Sequence, residues 1–133
     1  MTTTNKETIM DNEALATQFF TATAGADRAL FHEICSPDFS GSQNGGPAMS
    51  ADQLADFSQL VLERVSNFHY ENVVKSATTA GFVEEHDVCC DFEDGAALRM
   101  RVCVVADVVD GRITSVREYA DSRAARKLLE ALA

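Results

Sequence analysis

Between Phe82 and Phe92 the chain sets four acids and one histidine, Glu84, Glu85, His86, Asp87 and Asp91, around the adjacent pair Cys89 and Cys90. A further acid, Glu118, follows Val116 and Arg117, and a second histidine, His69, lies upstream. Carboxylates gathered away from water cannot all ionise. Burial and mutual repulsion keep one protonated while another stays charged, which supplies a general acid beside a general base. A metal is the other use for such groups, since hard oxygens with an imidazole hold divalent ions. No short ligand motif joins Glu85, Asp87, Glu118 and His69, so neither a metal nor an organic cofactor is expected. Cys35, Cys89, Cys90 and Cys103 show no Cys-x-x-Cys spacing and read as buried free thiols.

Which acids share a face depends on the strand that carries them. Alternation sorts this one into Val83, Glu85, Asp87, Cys89 and Asp91 on one side and Phe82, Glu84, His86, Val88, Cys90 and Phe92 on the other. The second set has more apolar area, so hydrophobicity alone sends it to the core and leaves Glu85 and Asp87 in solvent. On the next strand Leu98, Met100, Val102, Val104, Ala106 and Val108 form the inner face. On the last, Val116, Glu118 and Ala120 share a side, and the local pattern does not say which way they look.

The elements that position these residues are legible from spacing. Leu15, Phe19, Phe20 and Thr23 predict a helix from Asn12 to Ala24 with Gly25 as terminator, after a flexible tail over residues 1–11. Asp27 caps a second short helix that Pro37 must end. Ser40 to Met49, with Gly41, Gly45, Gly46 and Pro47, reads as a loop. Ser50-Ala51-Asp52-Gln53 resembles a capping box ahead of a third helix carrying Leu54, Phe57, Leu60, Val61 and Val65. From about residue 67 the period becomes two, giving strands near 67–76, 82–92, 97–109 and 112–120, with a two-residue turn at Asp110-Gly111. Asp121 then opens a short basic C-terminal helix. Helices first and a meander afterwards make one α+β domain over 12–133, with the helices covering a curved sheet of at least four antiparallel strands.

Composition narrows the partners. A chain of 133 residues with 46% hydrophobic composition fits a single core, and the formal net charge of −10 repels phosphate backbones and anionic membranes. The polar start lacks a secretory central region and no segment approaches the apolar length of a membrane span, so a cytoplasmic protein is expected.

The order helix, helix, loop, helix and meander, ending in Asp110-Gly111-Arg112-Ile113-Thr114, then Arg117-Glu118-Tyr119 and Asp121, resembles the SnoaL-like members of the nuclear transport factor 2-like superfamily. That superfamily includes ketosteroid isomerases, polyketide cyclases and limonene-epoxide hydrolases. The resemblance spans about residues 12–125 and implies a cone-shaped sheet wrapped around the three N-terminal helices. It is similar to the hydrolases in spacing as well. Counting back from Gly111 through Gly95, their aspartate base falls on Asp87, their arginine on Glu85 and their second aspartate on Glu118. The resemblance thus implies that Glu85, Asp87 and Glu118 point into the cavity with Cys89, Met100, Val102, Val104, Val116 and Ala120. The hydrolases' tyrosine falls near Gly41, where Gln43 or Asn44 remains to orient a water. With Phe19 and Phe20 where the isomerases carry a tyrosine, an oxyanion partner would be Tyr70, His69 or a protonated acid.

The expectation is a small-molecule-binding cavity protein that performs acid/base catalysis of the isomerase, cyclase or hydrolase type on an apolar, cyclic or carbonyl-containing substrate. Asp87 is the expected base, Glu118 its acid partner, and Glu85 tunes both. His69, Phe19, Phe57, Cys89, Met100, Val102 and Val116 are the expected substrate contacts. His86, opposite in phase to Asp87, is expected to face away, and His32 to be exposed. The alternative is a non-catalytic ligand-binding or scaffold protein of the same fold. With Asp87 inward, Phe82, Val88, Cys90 and Phe92 form an apolar outer patch that a homodimer would cover.

Overall fold

The computed structural model describes the backbone of residues 5–133 and the side chains from residue 11 onward. Leu15, Ala16, Phe19, Phe20 and Ala22 recur at helical spacing and are buried along one flank of α1 (Asn5–Gly25). The helix starts before the expected Asn12 because nothing in Asn5–Asp11 breaks it. Of the expected flexible tail, residues 1–4 lie outside the described residues and the rest continue α1. Asn12 is therefore buried in mid-helix, and its Nδ2 donates to the Thr78 carbonyl at 2.9 Å. The helix runs through Gly25, and Ala26 makes the left-handed turn at φ 48°. Ala26 N–H donates to Thr23 O and Asp27 N–H to Ala22 O, which closes the helix in a Schellman pattern.

Asp27 accepts from Leu30 N–H and caps α2 (Arg28–Ile34) as expected. The chain then enters β1 (Cys35–Gln43), a strand where the sequence reads as helix end and loop. Ser50 and Gln53 form the reciprocal capping box at the start of α3 (Ala51–Arg64). The meander follows as β2 (Ser66–Ala77), β3 (Gly81–Asp91), β4 (Ala97–Val109) and β5 (Arg112–Ala120). Asp110 and Gly111 both take positive φ, 51° and 77°, the geometry of a type I′ hairpin turn. Asp121 caps α4 (Ser122–Leu132).

The five strands lie in the order β1-β5-β4-β3-β2, antiparallel except that β1 pairs parallel to β5 along the edge. The sheet is therefore mixed, where an antiparallel meander alone is expected. Pro37 is tolerated because β1 is an edge strand whose register shifts between Cys35 and Ser40. β2, the other edge, shifts register between Ser66 and His69 and again between Glu71 and Val74, where Asn67 and Asn72 each take φ 54°. The inner face of the sheet packs Phe82, Val88, Met100, Val102, Val104, Ile113 and Val116 against Phe19, Phe20, Phe31, Leu54 and Val61 of the helices.

Candidate functional site

A cavity of about 500 Å³ opens between that inner face and the helices. Phe19, Phe20 and Thr23 of α1 form one wall, and Leu54, Phe57, Ser58 and Val61 of α3 a second. Ala125, Leu128 and Leu129 of α4 close a third side, and Ser42, Gln43, Asn44, Pro47 and Met49 contribute from β1 and the segment after it. The sheet supplies Phe68, Tyr70, His86, Val88, Met100, Val104, Val116, Glu118 and Ala120.

Register explains why the sheet's polar groups meet there. Glu84 pairs with Val104 and Val104 with Glu118, so one cross-strand row carries two acids on the inner face, their backbones about 10 Å apart at ordinary strand spacing. His86, Val102 and Ala120 form the next row. His86 is 1% exposed, and its Nδ1 lies 2.7 Å from Glu84 Oε2, a carboxylate 2% exposed. Because a carboxylate only accepts, Nδ1 carries the proton and donates it to Glu84. Among the described residues Nε2 has no partner, yet no buried side-chain nitrogen or oxygen is left unpaired, so Nε2 opens on the cavity. Phe20 and Tyr70 hold the ring, with centroids 4.7 and 4.4 Å away.

Glu118 reaches the same space from β5. Burial pushes its carboxyl above the usual range, opposed in part by the amide of Gln43, its parallel partner on β1. Asn44 staples the segment after β1 to this strand: its N–H donates to Glu118 O at 2.8 Å and its Oδ1 accepts from Ala120 N–H at 2.9 Å. Tyr70 Oη is 2.6 Å from Thr23 Oγ1, and Thr23 donates in turn to the Phe20 carbonyl at 3.0 Å. With the Thr23 proton spent there, Tyr70 is the donor to Thr23. Burial holds the Tyr70 hydroxyl well above its ordinary pKa, so it stays protonated. The arrangement offers an imidazole with a free nitrogen and, across Val104, a carboxyl group poised to keep its proton, within largely apolar walls.

The family model for the SnoaL-like domain matches residues 16–116. The chain belongs to the SnoaL-like family. No functionally curated protein matches it by sequence. Among solved structures this SnoaL-like chain is similar to an LEH-like epoxide hydrolase from M. tuberculosis, at 22% identity and TM-score 0.72 over 93% of each chain. It is similar to PrhC from Penicillium brasilianum NBRC 6234, at 12% identity and TM-score 0.79 over 94% of this chain and 89% of that one. BvnE pinacolase from Penicillium brevicompactum aligns at 14% identity and TM-score 0.76 over 92% and 94%. At such identities the likeness establishes the fold, which has catalytic members.

Of the residues expected in the site of this SnoaL-like protein, Glu118, Phe19, Phe57, Met100 and Val116 line the cavity. Val102 is buried in the same face without lining it. Asp87, Glu85, Cys89 and His69 lie on the opposite side of the sheet, the reverse of what the hydrolase spacing implies. Asp87 accepts there from Asn72 at 2.8 Å, Arg99 at 3.1 Å and Arg101 at 3.3 Å, and those hydrogen bonds, Asn72 foremost, hold its carboxyl below the usual range. Glu85 is exposed, 4.0 Å from Arg101, and His69 pairs with Glu71 at 2.8 Å.

The physical reason is burial. Phe82, Val88 and Phe92 each gain about 1.5–3 kcal/mol from leaving water, Cys90 is buried beside them, and Glu84 and His86 offset their own desolvation by pairing with each other. The apolar patch expected outside is consequently core, and the argument for a homodimer over it goes with it. The outer face carries Arg99, Arg101 and Arg117 among Glu71, Asp87 and Asp107. His86 and Glu84 are the site residues that sequence reasoning missed; their signal was the apolar excess on the even-numbered side of β3. Among the described residues no helix is long and apolar enough to cross a membrane.

Proposed function

We propose that this SnoaL-like protein binds a small, largely apolar molecule in the cavity and moves protons on it without an organic cofactor, as an isomerase, cyclase or hydrolase. The observation that carries this reading is the buried Glu84–His86 pair, 2.7 Å apart and opening on the same space as a carboxyl group whose affinity for its proton is raised. His86 Nε2 accepts a proton from substrate or from a bound water, and Glu84 offsets the positive charge that then develops on the ring. Glu118 supplies a proton to the substrate oxygen on which charge accumulates, with Gln43 beside it to orient that group or a water. Separated acid and base of this kind contribute about 10²–10⁴-fold to a rate. An epoxide hydrolase and a pinacolase among the similar structures are compatible with proton-transfer chemistry in such a cone.

The test is product formation from a panel of apolar ketones, epoxides and lactones, compared across two variants. His86→Gln keeps a polar side chain but removes the base, and should lower turnover about 10²–10⁴-fold. Asp87→Asn, on the far side of the sheet, should leave turnover near wild type. The opposite ranking defeats the assignment, and saturable binding without product would favour a ligand-carrying role.

A further inference from the structure

We propose that His69, Glu71 and Cys89 form a metal site for zinc or a similar thiophilic divalent ion on the outer face of the sheet, separate from the cavity. His69 and Glu71 alternate onto one side of β2, and Cys89 lies directly across from His69 on β3. One ligand atom from each converges so that all three lie within 4.8 Å of one another. In a tetrahedral site, bonds of about 2.0–2.3 Å put ligand atoms roughly 3.3–3.8 Å apart, so modest rotamer changes suffice.

Three further observations support it. His69 Nδ1 donates to the Asn67 carbonyl at 2.7 Å, the outer hydrogen bond that fixes a ligating imidazole and leaves Nε2 to face the ion. Nε2 is already 2.8 Å from Glu71 Oε2, so the two donors face each other. The two register shifts of β2, with Asn67 and Asn72 in the left-handed region, bracket His69–Glu71 and re-aim that tripeptide against β3. A sulfur, an imidazole nitrogen and a carboxylate oxygen together suit zinc over magnesium or calcium, with a fourth position left for water.

Binding has a defined proton and charge balance. The ion displaces the Nε2 proton of His69 and the thiol proton of Cys89, both released to solvent. It also displaces the hydrogen bond from Arg99 Nη2 to Glu71 at 3.2 Å, and Arg99 keeps its second carboxylate, Asp87, at 3.1 Å. Arg99 thus competes with the metal for Glu71. Because Tyr70 lies between two of the ligands and faces the cavity, the ion would act as a clip on the segment that presents it.

The experiment is titration of the full chain with cobalt(II), read as the thiolate-to-cobalt charge-transfer band, and with zinc by calorimetry. Expected are the band at one ion per chain, a loss of zinc affinity of about tenfold or more in His69→Ala and Glu71→Gln, and tighter binding in Arg99→Gln. Cys103→Ser should keep the band and Cys89→Ser abolish it, with circular dichroism confirming the fold; should Cys89→Ser not fold, the two β2 variants decide. Absence of the band in wild type at excess cobalt, or zinc affinity unchanged in both β2 variants, overturns the site.

Discussion

Asp87 and Glu118 are carboxylic acids two strands apart, and the sheet shifts their proton affinities in opposite directions. Hydrogen bonds from Asn72, Arg101 and Arg99 favour the carboxylate of Asp87, whereas removal from water favours the protonated form of Glu118. The sign for stability follows. A native pKa raised above the unfolded value means that the stabilising contribution of Glu118 is complete in acid and is lost as pH rises through the raised value. Glu118→Gln, a mimic of the protonated group, escapes that loss. Its melting temperature relative to wild type should therefore climb between pH 4 and 8 in scanning calorimetry; a difference independent of pH would mean that Glu118 titrates normally. In catalysis the same residue should set the alkaline limb, activity falling as its proton is lost. Glu118 was expected inward only through the family resemblance, because the pattern of β5 groups it with Val116 and leaves open which way that side looks. His86 was not, because a strand's face inverts with a one-residue offset and the acid spacing of the hydrolases argued for the odd-numbered side. The apolar side chains of Phe82, Val88, Cys90 and Phe92 outweighed that spacing.

At the scale of elements, signals with a local physical cause held and those that depend on distant partners did not. The capping box at Ser50 and the Asp110-Gly111 turn act within a few residues, and both formed as expected. β1 is invisible locally: Pro37, Gly41 and the glycines after it read as loop, and only β5 alongside makes the segment a strand. The N-terminal extension of α1 was hidden in a similar way: the apolar spacing begins only at Leu15, and Asn12, taken as the first helical residue, lies in mid-helix and reaches Thr78 across 66 residues of sequence. The β2–β3 connection shows how tight the meander is. A Cβ at Gly81 would run into the Ala106 carbonyl on β4, so the backbone must part to admit it. Gly81→Ala should cost about 1–3 kcal/mol in urea unfolding. A neutral result would show that the two strands separate there without penalty.

The molecule as a whole leaves a space of about 500 Å³ inside a chain of 133 residues, so the side chains around it forgo packing contacts. A ligand that fills it restores those contacts in the native state alone. At a concentration of about 100 times Kd such a ligand adds about 2.7 kcal/mol, on the order of 10 °C in melting temperature for a domain of this size. A thermal-shift screen of apolar ketones, epoxides and lactones in which no compound approaches that shift would count against an open binding cavity. The irregular course of β2 has one more result, for the molecule's dealings with its own copies. Its outer rim exposes Val73 and Val74, which in a flat strand would invite a second chain to add on and extend the sheet from molecule to molecule. With the backbone turned at Asn67 and Asn72, the straight row of donors and acceptors on that rim is cut to the short run from Val74 to Ala77, which leaves an added strand little to pair with.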